Sequence, residues 1–323
     1  MLDIQETNPV PVSELYASTT SLLDNISSIV LGKRDVARLC LVALLAGEHI
    51  LLEDVPGVGK TLMGKALARS VDGSFTRIQF TPDLLPSDIV GSSVFDSSEN
   101  KFVFNRGPVF SNFVLSDEIN RAPPRTQSAL LEAMSDSQVS VDGTTYTLEQ
   151  PFMVIATQNP FEFEGTYVLP ESQLDRFLMR ISMGYPDREY EADILNNHRD
   201  GQPVDRLQSV CDSQRIVAIQ NAVRQIKVDP AIAKYMLDVV EETRTSADLA
   251  LGVSTRGALL WYRAVQALAM IESRDYVVPD DPKSLAVAVL SHRCRTVGVL
   301  HGSGRAESES AIADILSRVP MPG

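Results

Sequence analysis

Leu15, Leu22, Ile26 and Ile29 recur at spacings of seven, four and three, which puts them on one face of a helix that begins near Ser13. A second helix follows Gly32, carries Ala37, Leu41 and Leu45, and stops near Gly47. Residues 49–53 (HILLE) read as a short buried strand. The loop DVPGVG comes next, and residues 60–71 return to helical spacing with Leu62, Ala66 and Leu67 inward. The alternation persists: strands are predicted over 75–80, 114–117, 152–157 and 178–183, with helices from Pro123 and over 171–177. Two hairpins interrupt it. One spans 138–148 around Asp142-Gly143, a pair that favours positive φ. The other spans 92–105, where Val94-Phe95 and Phe102-Val103-Phe104 flank a turn at 97–100. Strands alternating with helices predict an α/β fold whose parallel sheet is covered on both faces.

Past Pro186 the pattern changes. Residues 187–199, 213–226, 230–244, 256–272 and 281–293 all carry helical spacing, and only 276–278 reads as a short strand. Residues 1–12 are expected to be loosely held and 302–323 to end in a frayed tail. The boundary near Pro186 therefore separates an α/β unit, 1–186, from a smaller helical one, 187–323, which suits a chain of 323 residues.

Charge narrows the possible partners. The net charge of −13 disfavours non-specific attachment to nucleic acid or to an anionic membrane. No basic stretch followed by an apolar one opens the chain, and the longest apolar run, 39–46, is too short to span a bilayer. A cytoplasmic protein is the expectation. Cys40, Cys211 and Cys294 lie far apart, which fits a reducing compartment better than a disulfide framework. His49, His198, His292 and His301 are isolated, so no zinc site is expected. Trp261 and Tyr262 sit in an apolar helix and read as core.

The candidate chemistry starts in the loop after the first strand. A buried strand, a glycine loop, Gly59-Lys60-Thr61 and then a helix is the arrangement that binds phosphate: glycines let backbone N–H groups close on phosphate oxygens, and the helix N-terminus adds its dipole. Pro56, Gly57, Val58, Gly59, Lys60, Thr61 and Leu62 form the candidate nucleotide-binding segment. Lys60 would reach the β- and γ-phosphates, and the Thr61 hydroxyl would hold Mg²⁺. The general pattern has a glycine where this chain has Asp54. The plain alternative is a helix N-terminus with an exposed lysine.

Phe113-Val114-Leu115-Ser116 is an apolar strand that ends in Asp117 and Glu118, 57 residues after Lys60. At the C-terminal edge of a parallel sheet this pair would sit beside the phosphate loop. Asp117 would hold Mg²⁺ through water, and Glu118 would polarise the attacking water. A charged strand end capping the next helix is the other reading. Together with the loop, the pair points to Mg²⁺-dependent nucleotide hydrolysis.

The chain resembles the MoxR family of AAA+ ATPases, the group with an insert in helix 2, over nearly all of 25–300. The resemblance rests on LLEDVPGVGKT (51–61), FTPDLLPSDIVG (80–91), DEINRAPPRTQSALLEAM (117–134), ATQNP (156–160) and LPESQLDRF (169–177). It implies a P-loop AAA+ nucleotide domain followed by an all-α lid. It implies that Asn159 is the first sensor, bonding the γ-phosphate and the attacking water; a turn asparagine before Pro160 is the plainer reading. Arg176 looks like the arginine finger, aimed at a neighbouring subunit's γ-phosphate. Arg256, in GVSTRG, looks like the second sensor, reaching from the lid to the bound nucleotide. Gly32 would touch the adenine side. Arg121 and Arg125 either act across an interface or decorate a helix. The 92–105 hairpin looks like the helix-2 insert, whose Phe95 or Phe102 would grip a client or pack on its own domain.

The same resemblance implies a homo-oligomeric ring, a hexamer by family habit, that remodels or activates a client protein, often with a partner carrying a von Willebrand factor A domain. Three rivals are an ATP-controlled switch with little turnover, a DNA-dependent motor, and a P-loop kinase. The charge disfavours the second, and Glu118, Asn159 and Arg176 disfavour the third.

Overall fold

A computed structural model describes residues 11–160, 165–197, 202–298 and 304–322 of the chain. The first helix, α1 (Val12–Ile29), buries Leu15, Leu22 and Ile26 along one stripe. In α2 (Arg34–Ala46) the burial is nearly continuous, from Cys40 through Ala46, so it is a core helix rather than a surface one. Gly47, at φ 76°, ends it in the left-handed conformation that glycine adopts without a Cβ penalty.

The sheet follows. β1 (Ile50–Glu53) is buried throughout and leads into α3 (Lys60–Ser70) and β2 (Phe75–Gln79). Next come a short helix, α4 (Pro86–Val90), and the hairpin β3 (Gly91–Asp96) and β4 (Lys101–Arg106). β5 (Phe113–Asp117) and α5 (Pro124–Asp136) precede the second hairpin, β6 (Gln138–Val141) and β7 (Thr144–Thr147). β8 (Met153–Gln158), the single turn α6 (Glu171–Leu174) and β9 (Met179–Ile181) complete this part. The five long-range strands pair in the order β2-β5-β8-β1-β9, all parallel. Ile50 and Leu52 enter the core on one face and Leu51 the core on the other, as the two-residue period of a strand requires. The strand order reverses around β1, so the crevice for a ligand lies at its C-terminal end.

The remaining elements are α7 (Arg188–Asn197), α8 (Ser213–Val223), α9 (Pro230–Thr245), β10 (Leu249–Leu251), α10 (Thr255–Ile271), α11 (Asp280–Leu290), β11 (Arg295–Thr296) and α12 (Arg305–Arg318). α10 and α8 pack on α2, and α11 packs on β9. One hydrophobic core therefore runs from β1 and α3 through α2 into Ile216, Trp261 and Leu285.

Four expectations need correction. The helix over 171–177 is only the single turn Glu171–Leu174: Arg176 and Phe177 donate three residues back, to Gln173 and Leu174, instead of continuing the ladder, and the carbonyls of Asp175, Phe177 and Leu178 beyond it accept from the buried Arg293 guanidinium. Residues 276–278 form no strand; Tyr276 makes one isolated bridge to Lys227. Within the tail, residues 305–318 are the helix α12, which buries Ile312, Ile315 and Leu316 and whose Arg305 meets buried Glu53 at 3.0 Å. A small antiparallel pair, β10 with β11, was not foreseen: its strands are too short to carry a period. Residues 1–10, His198 and His301 lie outside the described residues.

The hairpin at 91–106 pairs Val94 with Val103 and Phe95 with Phe102. The Phe95 and Phe102 rings meet edge to face at 5.3 Å yet stay 50% and 71% exposed, so they pack on each other and not on the domain. At the hairpin's base Phe104 stacks on Tyr146 of β7 at 4.4 Å, which ties the two hairpins together.

Candidate active site

β1 delivers the chain into the phosphate loop at its buried C-terminal end. Gly57 and Gly59 take φ 87° and 97°, a region that side chains rarely enter, and α3 starts directly after Gly59. The Lys60 ammonium donates to the Asp54 carbonyl at 2.7 Å across the loop. Pro56, Gly57, Val58, Gly59, Lys60, Thr61 and Leu62 all line one cavity of about 1110 Å³.

Asp117, Glu118 and Asn159 reach the same cavity from the ends of β5 and β8. Asp117 Oδ2 accepts from the Arg77 guanidinium at 2.5 Å, and its Oδ1 accepts from the Thr157 hydroxyl at 2.6 Å. Glu118 has φ 58° and ψ 50°, a left-handed turn that costs a non-glycine residue and turns its carboxylate off the strand line. Gln79 donates to Glu118 Oε2 at 3.0 Å, and Arg121 lies 2.9 Å from the same oxygen. Asn159 is 93% buried, at 7% exposure, between strand and cavity.

The far wall is apolar. Ile29, Val30 and Leu31 face Tyr185, Pro186 and Ile194 across it. Lys33 fixes the edge by donating to the Tyr185 carbonyl at 2.7 Å. Gly32 itself is not on the cavity surface. It sits at φ 70° under the Tyr190 ring, where an added Cβ would lie 2.8 Å from Tyr190 Cγ; its neighbours, not Gly32, face the space expected for a base.

Arg176 and Arg256 are not brought to this cavity within the chain. Both line a second pocket, of about 420 Å³, with Glu132, Ser135 and Asp136 of α5. Arg176 donates to the Leu131 carbonyl and to Ser135 Oγ at 2.5 Å. Arg256 follows Ser254, the N-cap of α10, whose hydroxyl accepts the Gly257 amide at 2.9 Å and donates to Asp175 at 3.1 Å. Asp175 also accepts from Arg293 Nε at 2.9 Å. One carboxylate thus sets both the turn that carries Arg176 and the helix that carries Arg256. Arg125 is exposed on α5.

Several residues here escaped the sequence reading. Arg77 and Gln79 flank the acidic pair because Gln79 lies opposite Asp117 in the β2–β5 register. Thr157 joins both members of the pair from the neighbouring strand. The only available signal was alternation in Phe75–Gln79, with Ile78 inward and its polar neighbours outward. Asp54, where the general pattern has a glycine, is more than a departure from that pattern: its carboxylate accepts four hydrogen bonds.

The family described as ATPases associated with various cellular activities matches residues 49–179, and the AAA lid domain matches 241–315. The uncharacterized protein YeaC of Bacillus subtilis is 46% identical over 96% of this chain and 96% of its own. Chaperone MoxR1 of Mycobacterium tuberculosis is 42% identical over 83% of this chain and 73% of its own. A crystal structure of a candidate ATPase from Cytophaga hutchinsonii superposes with a TM-score of 0.88 at 36% identity, covering 97% of both chains. With the phosphate loop, the acidic pair and the parallel sheet in this order, the chain belongs to the MoxR family of AAA+ ATPases.

Proposed function

We propose that the chain hydrolyses ATP to ADP and phosphate and uses the cycle to remodel or activate a client protein. The observation that carries this reading is the convergence of Lys60, Thr61, Asp117, Glu118 and Asn159 on one cavity at the C-terminal edge of the sheet. Lys60 would neutralise the β- and γ-phosphates. Glu118, held by Gln79 and Arg121, would take the proton of the water that attacks the γ-phosphorus as the bond to the β-bridging oxygen breaks. Asn159 would orient that water.

The donor set suits Mg²⁺. Thr61 and Asp117 are hard oxygen donors on the same wall; Asp117 Oδ2 is taken up by Arg77 Nε and Nη2, whereas Oδ1 accepts from Thr157, which leaves Oδ1 the freer oxygen for an ion that keeps most of its waters. Bound there, the ion would neutralise charge on the phosphates. Arg176 and Arg256 line a pocket away from their own cavity and would serve a neighbouring subunit's nucleotide. That reading calls for a homo-oligomeric ring, a hexamer by family resemblance. The same resemblance implies a client and a von Willebrand factor A partner; the change of pattern near Pro186 suggests a division there, and the widely spaced, free Cys40, Cys211 and Cys294 suit a cytoplasmic setting. Among the described residues no helix is long and apolar enough to cross a membrane.

The test is ATP hydrolysis per subunit at rising protein concentration. A steep climb supports sites completed between subunits. A flat, substantial rate would remove the role across subunits from Arg176. A flat rate near zero, with nucleotide-dependent binding to a partner, would replace turnover with a switch. Glu118→Gln should bind ATP and lose turnover; equal turnover in that variant would sink the mechanism.

A further inference from the structure

Asp54 occupies the position where a general phosphate loop has its first glycine, and its surroundings show a different task. The side chain is 8% exposed. Its Oδ1 accepts the Val55 amide at 2.8 Å, inside the phosphate loop. Its Oδ2 accepts Ser182 Oγ at 2.9 Å, the Met183 amide at 2.7 Å and the Gly184 amide at 2.6 Å, all in the segment that leaves β9. Its carbonyl accepts the Lys60 ammonium. Burial alone would raise the pKa of Asp54, but the bonds from Gly184, Ser182, Val55 and Met183 hold it below the usual carboxylate range, so it remains an acceptor at neutral pH.

The segment that Asp54 holds builds the other end of the cavity. Met183 lies against the phosphate loop, since its methyl is 3.7 Å from where a Cβ on Gly59 would be. Two residues further on, Tyr185 and Pro186 face the apolar wall, and the chain enters α7, which contributes Glu191 and Ile194. The Tyr185 carbonyl is in turn held by Lys33 from the opposite side. A phosphate loop and a base wall that are more than a hundred residues apart in the chain therefore meet at one carboxylate.

We propose that Asp54 is a positioning residue that fixes the distance between the phosphate-binding end and the base-binding end of the cavity. The proposal rests on the nucleotide reading above. Asp54 does not itself line the cavity. It sets whether both can be held at once, which a glycine in its place could not do. Charge-assisted bonds to backbone amides suit this purpose because they are short and directional.

The geometry predicts a split between two ligands. ATP uses both ends of the cavity, whereas inorganic tripolyphosphate uses only the phosphate loop. Asp54→Gly should weaken ATP binding about tenfold or more, as expected for losing one to two charge-assisted contacts, while tripolyphosphate changes less than about threefold. Ser182→Ala removes one bond from an exposed residue of the linker and leaves the loop untouched. It should move ATP affinity in the same direction by about threefold and leave tripolyphosphate alone, which keeps the test available if Asp54→Gly does not fold. Titration calorimetry of both ligands on the full chain reads the ratio. Parallel loss of both ligands, or ATP affinity unchanged in both variants, would overturn the proposal. A wild-type chain that binds neither ligand would overturn the nucleotide reading itself, and the two failures are distinct.

Discussion

The Thr157 hydroxyl donates to Asp117 Oδ1 at 2.6 Å while its oxygen accepts the Glu118 amide at 2.9 Å. One side chain on β8 therefore fixes both acidic residues at the end of β5, including the left-handed turn at Glu118. Thr157→Val keeps the shape and removes both bonds. The expected result is a fall in kcat of about tenfold or more with ATP affinity within about threefold, because Thr157 does not line the cavity. Thr157→Ser should restore turnover. An unchanged kcat in the valine variant would show that strand geometry alone holds Glu118.

Arg176 and Arg256 share a pocket remote from their own nucleotide cavity. Arg176→Ala and Arg256→Ala should each bind ATP like the wild type. Turnover of Arg176→Ala should fall by about 10³ or more if it acts as a finger. Mixing Arg176→Ala with Glu118→Gln should regain turnover, because some sites then combine an intact Glu118 with an intact Arg176 from a neighbour. If the mixture stays inactive while both variants still assemble, Arg176 works within its own chain.

Glu48 and His49 are adjacent and have opposite pH behaviour. His49 accepts the Val154 amide at Nδ1 and donates from Nε2 to the Met134 carbonyl, both at 3.0 Å, so the neutral ring is satisfied. Burial lowers its pKa to about 4. The unfolded chain takes up that proton near 6.5 and the folded one does not, so stability on the order of 3 kcal/mol is lost as pH falls from about 6.5 to 4. Burial raises Glu48 to about 7 despite Arg256, Arg293, Arg263 and Arg224 nearby. There the folded state holds the extra proton, so its contribution grows as pH falls through the same window. Glu48→Gln removes this opposing effect. Denaturant unfolding at pH 7 and pH 5 should show a steeper acid loss in the variant than in the wild type. Parallel slopes would refute the pairing.

The insert hairpin depends on two glycines at its base. Gly91 sits at φ 94°, and a Cβ there would lie 2.6 Å from the Gly107 amide nitrogen and clash with the Asn105 carbonyl. Gly91→Ala should cost about 1–3 kcal/mol locally, through strain and clash. Hydrogen exchange should speed up across 92–105 while the amides of β1 and β8 keep their protection. Uniform protection in the variant would mean that the backbones can part without penalty.

The parts of this molecule that were legible in sequence are those written locally. Helical spacing in 13–29 gave α1, and a buried strand followed by Gly59-Lys60-Thr61 gave the loop and α3. The hairpins announced themselves through Asp142-Gly143 and through flanking aromatics. Features set by distant partners were not legible. Asp54 looked like a blemish because its three linker donors lie about 130 residues away, and Arg77 and Gln79 acquire meaning only from the register that puts Gln79 beside Asp117. α6 stops early where Arg176 and Phe177 bond three residues back, and the carbonyls just past it are held by Arg293, more than a hundred residues away in the chain. Arg176 and Arg256 were singled out one by one, yet their shared pocket follows from Asp175 and Ser254, which no spacing connects.

α2 belongs to both halves of the chain. One side of it meets α1 and β9, and another meets α8 and α10, with Cys40, Leu41, Leu44 and Leu45 essentially inaccessible between them. Its apolar surface could not stay covered if the chain were cut near Pro186, and each 100 Å² laid bare would cost about 2.5 kcal/mol. The α/β half is therefore expected not to fold alone. Heat or denaturant should melt sheet and helices in one cooperative step, and what topology draws as a lid is, in energetic terms, the far wall of the sheet's own interior.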